Sequence, residues 1–349
     1  MKKENNEQPK QSSVQSVQGF TKVVGIDVAN STIKVWTDDE KHISYRNTIK
    51  LINDAGLVYS FKTNYQMYVY NKEVYEVGDI SAMGSGARGQ ARYSSSNFKI
   101  EAIIGLTSIL EPGKHEVLRV VTGVPSYLAK NTKVIKELKT ILLGSHEVKS
   151  VTWDKVETVT FDIAEVIVVP QPLGTMYNYV FDNATKTLNS KLLEQRAIVI
   201  DIGWGTLDLA VLESGRVRST FGFDIGTSDY ISAIQEEVNT DMPEANIFSL
   251  SPHELDMTLL KGNSVETPFG TYDLTKYIEK QKQIQASRIY QEVMSLGLEF
   301  NKFFKIILTG GGSLLYQDEL KSQFNDPRVL IQENAVLANA RGFYLLGKY

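Results

Sequence analysis

Three times in this chain of 349 residues an apolar, β-branched run breaks off into a turn built of aspartate, glycine and small polar residues. The runs are KVVGIDVANST (22–32), AIVIDIGWGT (197–206) and FKIILTGGGS (304–313). An apolar strand of this kind suits a sheet covered on both faces, and the ligand edge of an open α/β sheet lies at the carboxyl ends of its strands. That is where Asp201 falls. Gly203 and Gly205 remove the Cβ atoms that would keep backbone amides away from an anion, and Thr206 adds a hydroxyl donor. A carboxylate beside a phosphate cradle is repulsive unless a divalent cation lies between them. Mg²⁺ takes few carboxylates, several waters and phosphate oxygens. Asp201 and Asp208 beside glycine amides therefore read as a magnesium–phosphate site. Taken alone, DIGWGT also spells a hairpin closed by an Asx turn.

The other two turns share the pattern. GIDVANSTIK sets Asn30, Ser31, Thr32 and Lys34 after Asp27, supplying amides, hydroxyls and one cation suited to a polyphosphate. LTGGGS places three glycines directly after a strand. Because each glycine costs backbone entropy, such a run marks close approach of a ligand or of another chain segment, the alternative being a plain flexible loop. The strand–Asp units GIDVANST and VIDIGWGT lie about 175 positions apart, as in a two-lobed protein with related halves.

Composition narrows the classes. Hydrophobic residues make up 42% and charged residues 22%, an ordinary globular balance. A net charge of −4 argues against broad binding of nucleic acid or anionic lipid. The absence of cysteine excludes disulfides and thiolate chemistry and fits a cytoplasmic setting. No apolar run reaches the roughly 18 residues of a membrane span. His42, His115, His146 and His253 show no metal-ligand spacing, and no GxSxG elbow occurs.

Along the chain, residues 1–19 are polar and read as a flexible tail. KVVGIDV and STIKVWT predict a hairpin. Short aromatic strands follow over 43–80, where Tyr65, Tyr68, Tyr70 and Tyr75 suit either core packing or an exposed edge. GSGARGQARYSSSN (84–97) reads as a mobile loop or a subunit contact. Helices are expected over 98–110, 126–143, 251–260, 273–299 and 333–347, and strands at 115–125, 197–201, 206–212 and 217–225. The last of these strands leads into the helix GTSDYISAIQEEV.

In chain order, GIDVANSTIKV, VVPQPLGTMY, VIDIGWGTLDLAV, LTGGGS and ANARGFYLLG resemble the phosphate-1, connect-1, phosphate-2, adenosine and connect-2 motifs of the actin/sugar-kinase/DnaK-type ATPase superfamily. The resemblance runs over residues 20–347. Within it the chain is most similar to the plasmid-segregation actins, the ParM/StbA family of Gram-positive plasmid type. It shares their short length, VVTGVPS ahead of QPLGT, GFDIGTSDY after phosphate-2, and the lack of a kinase or chaperone extension.

The resemblance implies an α/β, actin-like fold of two related ribonuclease-H-like lobes around a nucleotide cleft. Domain I would span 20–172, with a small subdomain at about 37–97, and domain II 173–332, with 333–349 returning to domain I. It also implies ATP, or GTP, with Mg²⁺. Asp27 would hold the metal through water, Asn30, Ser31 and Thr32 would line the β-phosphate, and Lys34 would approach the phosphates. Gln171 would orient the attacking water and Asp201 would hold metal-bound or attacking water. Gly203, Gly205 and Thr206 would bind the γ-phosphate, while Gly310, Gly311, Gly312 and Ser313 lie against the ribose and α-phosphate. Gly226 and Thr227 would touch the nucleoside. Asp208 has two readings, a water-mediated metal contact or a solvent-facing strand residue. Ala29 and Trp204 depart from the family pattern at two turn positions.

The implied activity is nucleotide hydrolysis coupled to filament assembly, moving plasmid DNA through a DNA-binding adaptor in a bacterial cytoplasm, with no direct nucleic-acid or membrane binding. The alternatives are a monomeric sugar or acid phosphotransferase, and a scaffold or membrane-bound shape-determining actin, whose amphipathic anchor is not seen in the polar tail.

Overall fold

The computed structural model describes residues 19–52, 66–78, 89–152 and 154–349. The expected tail, Tyr65 and residues 84–88 lie outside that set, apart from Gly19. The first half builds a nine-stranded sheet, opening with a meander of β1 (Lys22–Val28), β2 (Thr32–Thr37) and β3 (His42–Arg46). It continues through β4 (Lys50–Ile52), β5 (Gln66–Tyr70), β6 (Glu73–Val77) and helix α1 (Ser96–Thr107). Then come β7 (Glu116–Val124), α2 (Thr132–Leu142), β8 (Gly144–Val151) and the long β9 (Val156–Pro170). Strand order is β3-β2-β1-β7-β9-β8-β5-β6-β4, with β1, β7 and β9 parallel.

Helix α3 (Gln171–Val180) leaves this sheet, followed by a small hairpin of β10 (Phe181–Asp182) and β11 (Thr187–Leu188) and by α4 (Ser190–Glu194). A second meander then forms from β12 (Ala197–Ile202), β13 (Leu207–Glu213) and β14 (Arg216–Phe223). Helices α5 (Thr227–Asp241) and α6 (Pro252–Leu259) come next, then the hairpin β15 (Ser264–Thr267)–β16 (Gly270–Asp273) and α7 (Thr275–Ser295). The chain closes with β17 (Lys305–Thr309), α8 (Gly311–Leu315), α9 (Gln317–Phe324), β18 (Val329–Ile331) and α10 (Ala338–Lys348).

The five-stranded sheet has the order β14-β13-β12-β17-β18, again an antiparallel meander followed by two parallel strands. This matches β3-β2-β1-β7-β9 strand for strand, so the protein has two lobes built on one plan. Both central strands are covered on two faces, as their sequences require. Ile198, Ile200 and Ile202 pack with α5 and α7, while Ala197 and Val199 pack with Met176 and Val180 of α3. Each such aliphatic side chain contributes about 1.5–3 kcal/mol on burial. On β1, Ile26 lies under Gly105 of α1, whereas Gly25 leaves room for the backbone of α10 at Ala340.

Two expectations change and one is settled. GSGARGQARYSSSN is no loop over its described part: residues 89–94 form a 3₁₀ helix that buries Arg92 and Tyr93, and Ser95 caps α1 by accepting from the Phe98 amide. The helix expected over 126–143 starts only at Thr132, after a 3₁₀ turn at Ser126–Leu128. Tyr68, Tyr70 and Tyr75 are buried, which settles them as core.

Candidate functional site

The first turn lies between β1 and β2. Asp27, 2% exposed, is the last residue but one of β1, and its register partner across the hairpin is Lys34, whose Nζ sits 2.9 Å from Asp27 Oδ2. Gln171, the first residue of α3, donates from Nε2 to Asp27 Oδ1 at 3.4 Å. Gly123 makes that possible, since a Cβ there would stand 2.7 Å from Gln171 Cγ. Ala29 closes the turn by donating its amide to the Thr32 carbonyl at 3.1 Å, leaving Asn30 exposed and Ser31 buried.

Two side chains brace this turn from behind. Asn47 donates from its amide nitrogens to Ser31 O (3.0 Å, backbone) and Ala29 O (3.1 Å, side chain). Arg92, ion-paired with Glu101 at 2.6 Å, donates to the carbonyls of Val28 and Ala29 at 3.3 Å each. A buried guanidinium needs such partners, and here it spends them on the turn.

The second turn repeats the first. Asp201 and Asp208 are register partners across β12–β13, as Asp27 and Lys34 are across β1–β2. Asp208 is 6% exposed, so the solvent-facing reading is excluded, and it accepts from Thr206 Oγ1 at 2.9 Å. Asn339 of α10 donates to Asp201 Oδ2 at 2.9 Å and accepts from Thr175 of α3 at 2.8 Å. Burial pushes the Asp201 carboxyl above its usual range, against the pull of Asn339 and Lys34. Burial, then the facing Asp201, raises Asp208 to about 6.

Gly203 donates its amide to the Thr206 carbonyl at 2.9 Å, and Gly205 and Thr206 are exposed, with nothing within 4 Å of a Cβ on Gly205. Gly226 is buried, and a Cβ there would meet the Trp204 carbonyl at 2.2 Å. The amides of Thr227 and Ser228 donate to the carbonyls of Gly203 and Trp204, so the start of α5 holds the turn in place. Trp204 stacks on His253 of α6, with ring centroids 4.2 Å apart.

The glycine triplet divides its work. Gly310, at φ +81°, approaches so closely that a Cβ would lie 2.4 Å from Ile202 O and 2.5 Å from Asp201 Oδ1. Gly312 packs on Ile202 in the same way, while Gly311 is open. Ser313 is fully buried and donates to Gly310 O at 2.8 Å, so its hydroxyl shapes the turn. The expected residues thus converge from both lobes. Beside them lies a cavity of about 890 Å³ lined by Asn30, Gly205, Thr206, Asp224 and Tyr127.

Buried carboxylates are normally paired or bound to a cation. Asp201 and Asp208 face each other, held by the Asn339 amide and the Thr206 hydroxyl, and this pair of carboxylates fits a divalent cation. Among the described residues no group of three or more His, Asp or Glu could hold a metal directly.

Two family models match the chain: "Actin like proteins N terminal domain" over residues 25–174 and "Archaeal actin homologue MreB-like, C-terminal" over 199–322. The chain belongs to the actin-like superfamily. Its fold is shared with solved structures of low identity. The apo pSK41 ParM protein is 20% identical, with a TM-score of 0.69 over 94% of this chain and 97% of that one. The archaeal actin homologue Ta0583 is 19% identical, with a TM-score of 0.74 over 94% and 99%. A 15-stranded ParM filament from Clostridium botulinum is 18% identical, with a TM-score of 0.72 over 95% and 99%. No curated protein matches the chain.

Within this actin-like frame, sequence reading missed Arg92, Asn47, Asn339 and His253. Asn339 lay inside the quoted ANARGFYLLG, a nearby polar residue on an apolar helix face that could have been asked for its partner. Arg92 and Asn47 carried no local signal.

Proposed function

We propose that this chain is a nucleoside-triphosphate hydrolase that assembles with itself into filaments whose lifetime is set by hydrolysis. In this reading the filaments move plasmid copies through a separate DNA-binding adaptor. The observation that carries it is the mirrored pair of aspartate-bearing hairpins facing one cleft, with Gln171 reaching across to Asp27. Actin-like neighbours add support: one solved structure is a ParM filament and another is Ta0583 in complex with ADP.

In this reading the residues divide the work between phosphate, metal and water. The exposed amides of Gly205 and Gly311, with Thr206 and Asn30, receive phosphate oxygens. Asp27, Asp201 and Asp208 would hold Mg²⁺ through water, and the ion would supply positive charge against the charge developing on the transferred phosphoryl group. Lys34 adds fixed positive charge from the first hairpin. Gln171 cannot take up a proton near neutrality, so it orients the attacking water. Asp201, raised by burial, accepts the proton through a water. Phosphate turns read phosphates and not the base, so ATP and GTP both fit.

The cavity beside the turns supports a second reading, a monomeric phosphotransferase, because its volume is that of a small-molecule site. Right-angle light scattering after addition of Mg-ATP, Mg-GTP or no nucleotide separates the two, with Asp201→Ala alongside. The filament reading expects a nucleotide-dependent rise that decays in wild type and persists in the variant. A flat trace with nucleotide bound, and phosphate transfer only when a small hydroxyl or acid acceptor is added, would establish the phosphotransferase instead.

A further inference from the structure

Arg46, at the end of β3, donates from a guanidinium nitrogen to Asp256 Oδ2 of α6 at 2.5 Å. Among the described residues this is the only ion pair joining residues 22–170 to residues 197–331. Otherwise the lobes meet chiefly at α3 and α10, and where residues 126–128 lie against β13 and β14. Both side chains are mostly buried, 25% and 16% exposed, so the pair is shielded from the solvent screening that makes surface pairs weak.

Each end of the pair is also tied to a phosphate turn. The residue after Arg46 is Asn47, which holds the carbonyls of Ala29 and Ser31 in the first turn. Three residues before Asp256, on the same helix, is His253, stacked on Trp204 of the second turn. Ser251 and Glu254 fix the start of α6 through a reciprocal capping box, so His253 and Asp256 are carried on one rigid turn of helix. The path runs unbroken from Ala29 through Asn47, Arg46, Asp256 and His253 to Trp204, joining the first turn to the second.

We propose that Arg46 and Asp256 form a cleft clasp: they are positioning residues that hold the two phosphate turns at a set separation, acting through Asn47 on one side and the His253–Trp204 stack on the other. This rests on the nucleotide reading above. Trp204, which departs from the family pattern, gains a purpose here, since a small residue at that position could not reach α6.

The test uses the full-length chain, which has no cysteine, so introduced labels are unique. Nitroxides at Gln66→Cys and Leu260→Cys, both exposed and on opposite lobes, report the interlobe distance by pulsed electron spin resonance without nucleotide. Release of mant-ADP with Mg²⁺ is measured alongside. Arg46→Ala and Asp256→Asn should lengthen and broaden the distance distribution and speed release about tenfold, a coupling of ~1.4 kcal/mol. The swap Arg46→Asp with Asp256→Arg should restore both, which a merely damaged fold would not do. His253→Ala should leave the distance unchanged yet speed release, because it cuts the path after the clasp. Unchanged distances and release rates in the single variants overturn the clasp. Wild-type protein that takes no mant-ADP overturns the nucleotide reading and the positioning role, even if distances still respond.

Discussion

Lys34 and Asp208 occupy the same place in the two lobes: each sits directly across a hairpin from the aspartate that is last but one in the central strand. One lobe therefore neutralises its aspartate with a built-in cation, and the other sets a second carboxylate against it. Without a bound cation that second arrangement is unfavourable: burial first, and then the facing Asp201, push Asp208 up to about 6.

Asp208→Asn should therefore stabilise the nucleotide-free protein at neutral pH. The folded state prefers the protonated carboxyl, so the stability linked to it is complete below the ordinary Asp value of 3.8 and is lost as pH rises through about 6. A shift of that size corresponds to about 3 kcal/mol at most. Urea midpoints at pH 5 and 7.5 check it: wild type should lose ground to the variant between the two. Equal curves at both pH values would mean that neither burial nor the facing Asp201 strains Asp208. With Mg-nucleotide present the order should reverse.

Gly174 and Gly342 give the sharpest stability prediction. Where α3 crosses α10, a Cβ on Gly342 would lie 1.7 Å from the Gly174 carbonyl oxygen, so the two helices touch backbone to backbone. No rotamer relieves a clash with backbone. Gly342→Ala should cost about 3–5 kcal/mol or force the helices apart, read as a lower denaturant midpoint. An unchanged midpoint would show that the crossing adjusts freely.

The plan of the fold was legible because its central strands must be buried on both faces and must end at polar turns. β1, β12 and β17 announce themselves by apolar runs rich in β-branched residues, and their turns carry most of the candidate site residues. The hairpins β10–β11 and β15–β16 did not, because strands of two to four residues leave no periodicity to read. Arg92, Asn47 and His253 escaped for a different reason. They act on the turns from 16 to 64 residues away, and nothing local distinguishes a bracing arginine from a solvated one. Gly226 and Ser313 also serve the fold itself, Gly226 by seating α5 against the second turn and Ser313 by closing the third.

His146 should make the first lobe acid-sensitive. It is 5% exposed, accepts from the Tyr70 hydroxyl at Nδ1 (3.0 Å) and donates from Nε2 to the Leu142 carbonyl (2.9 Å). Burial holds its pKa below the usual 6.5, so the fold binds fewer protons than the unfolded chain. The associated stability is present above 6.5 and is lost as pH falls toward the lowered value. Comparing urea midpoints of wild type and His146→Gln from pH 7.5 to 5.5 should show a fall in the first that the second lacks. The opposite sign of the Asp208 effect makes the double variant a useful control.

Gln171 is the last test of the site. Its amide touches Asp27 from the first turn of α3, and Gly123 exists in the form it does to give it room. It contributes no charge and no proton acceptor, so Gln171→Ala should leave Mg-nucleotide binding within about twofold while slowing phosphate release about a hundredfold, the scale of losing one well-placed polar group from a transition state. Phosphate release and nucleotide affinity measured on the same preparation check it. If filaments form as proposed, those of the variant should outlast wild type by a similar factor, because assembly needs the bound triphosphate and only disassembly needs the attacking water. A variant that binds nucleotide weakly but hydrolyses at the normal rate would move Gln171 from water orientation to holding the first turn.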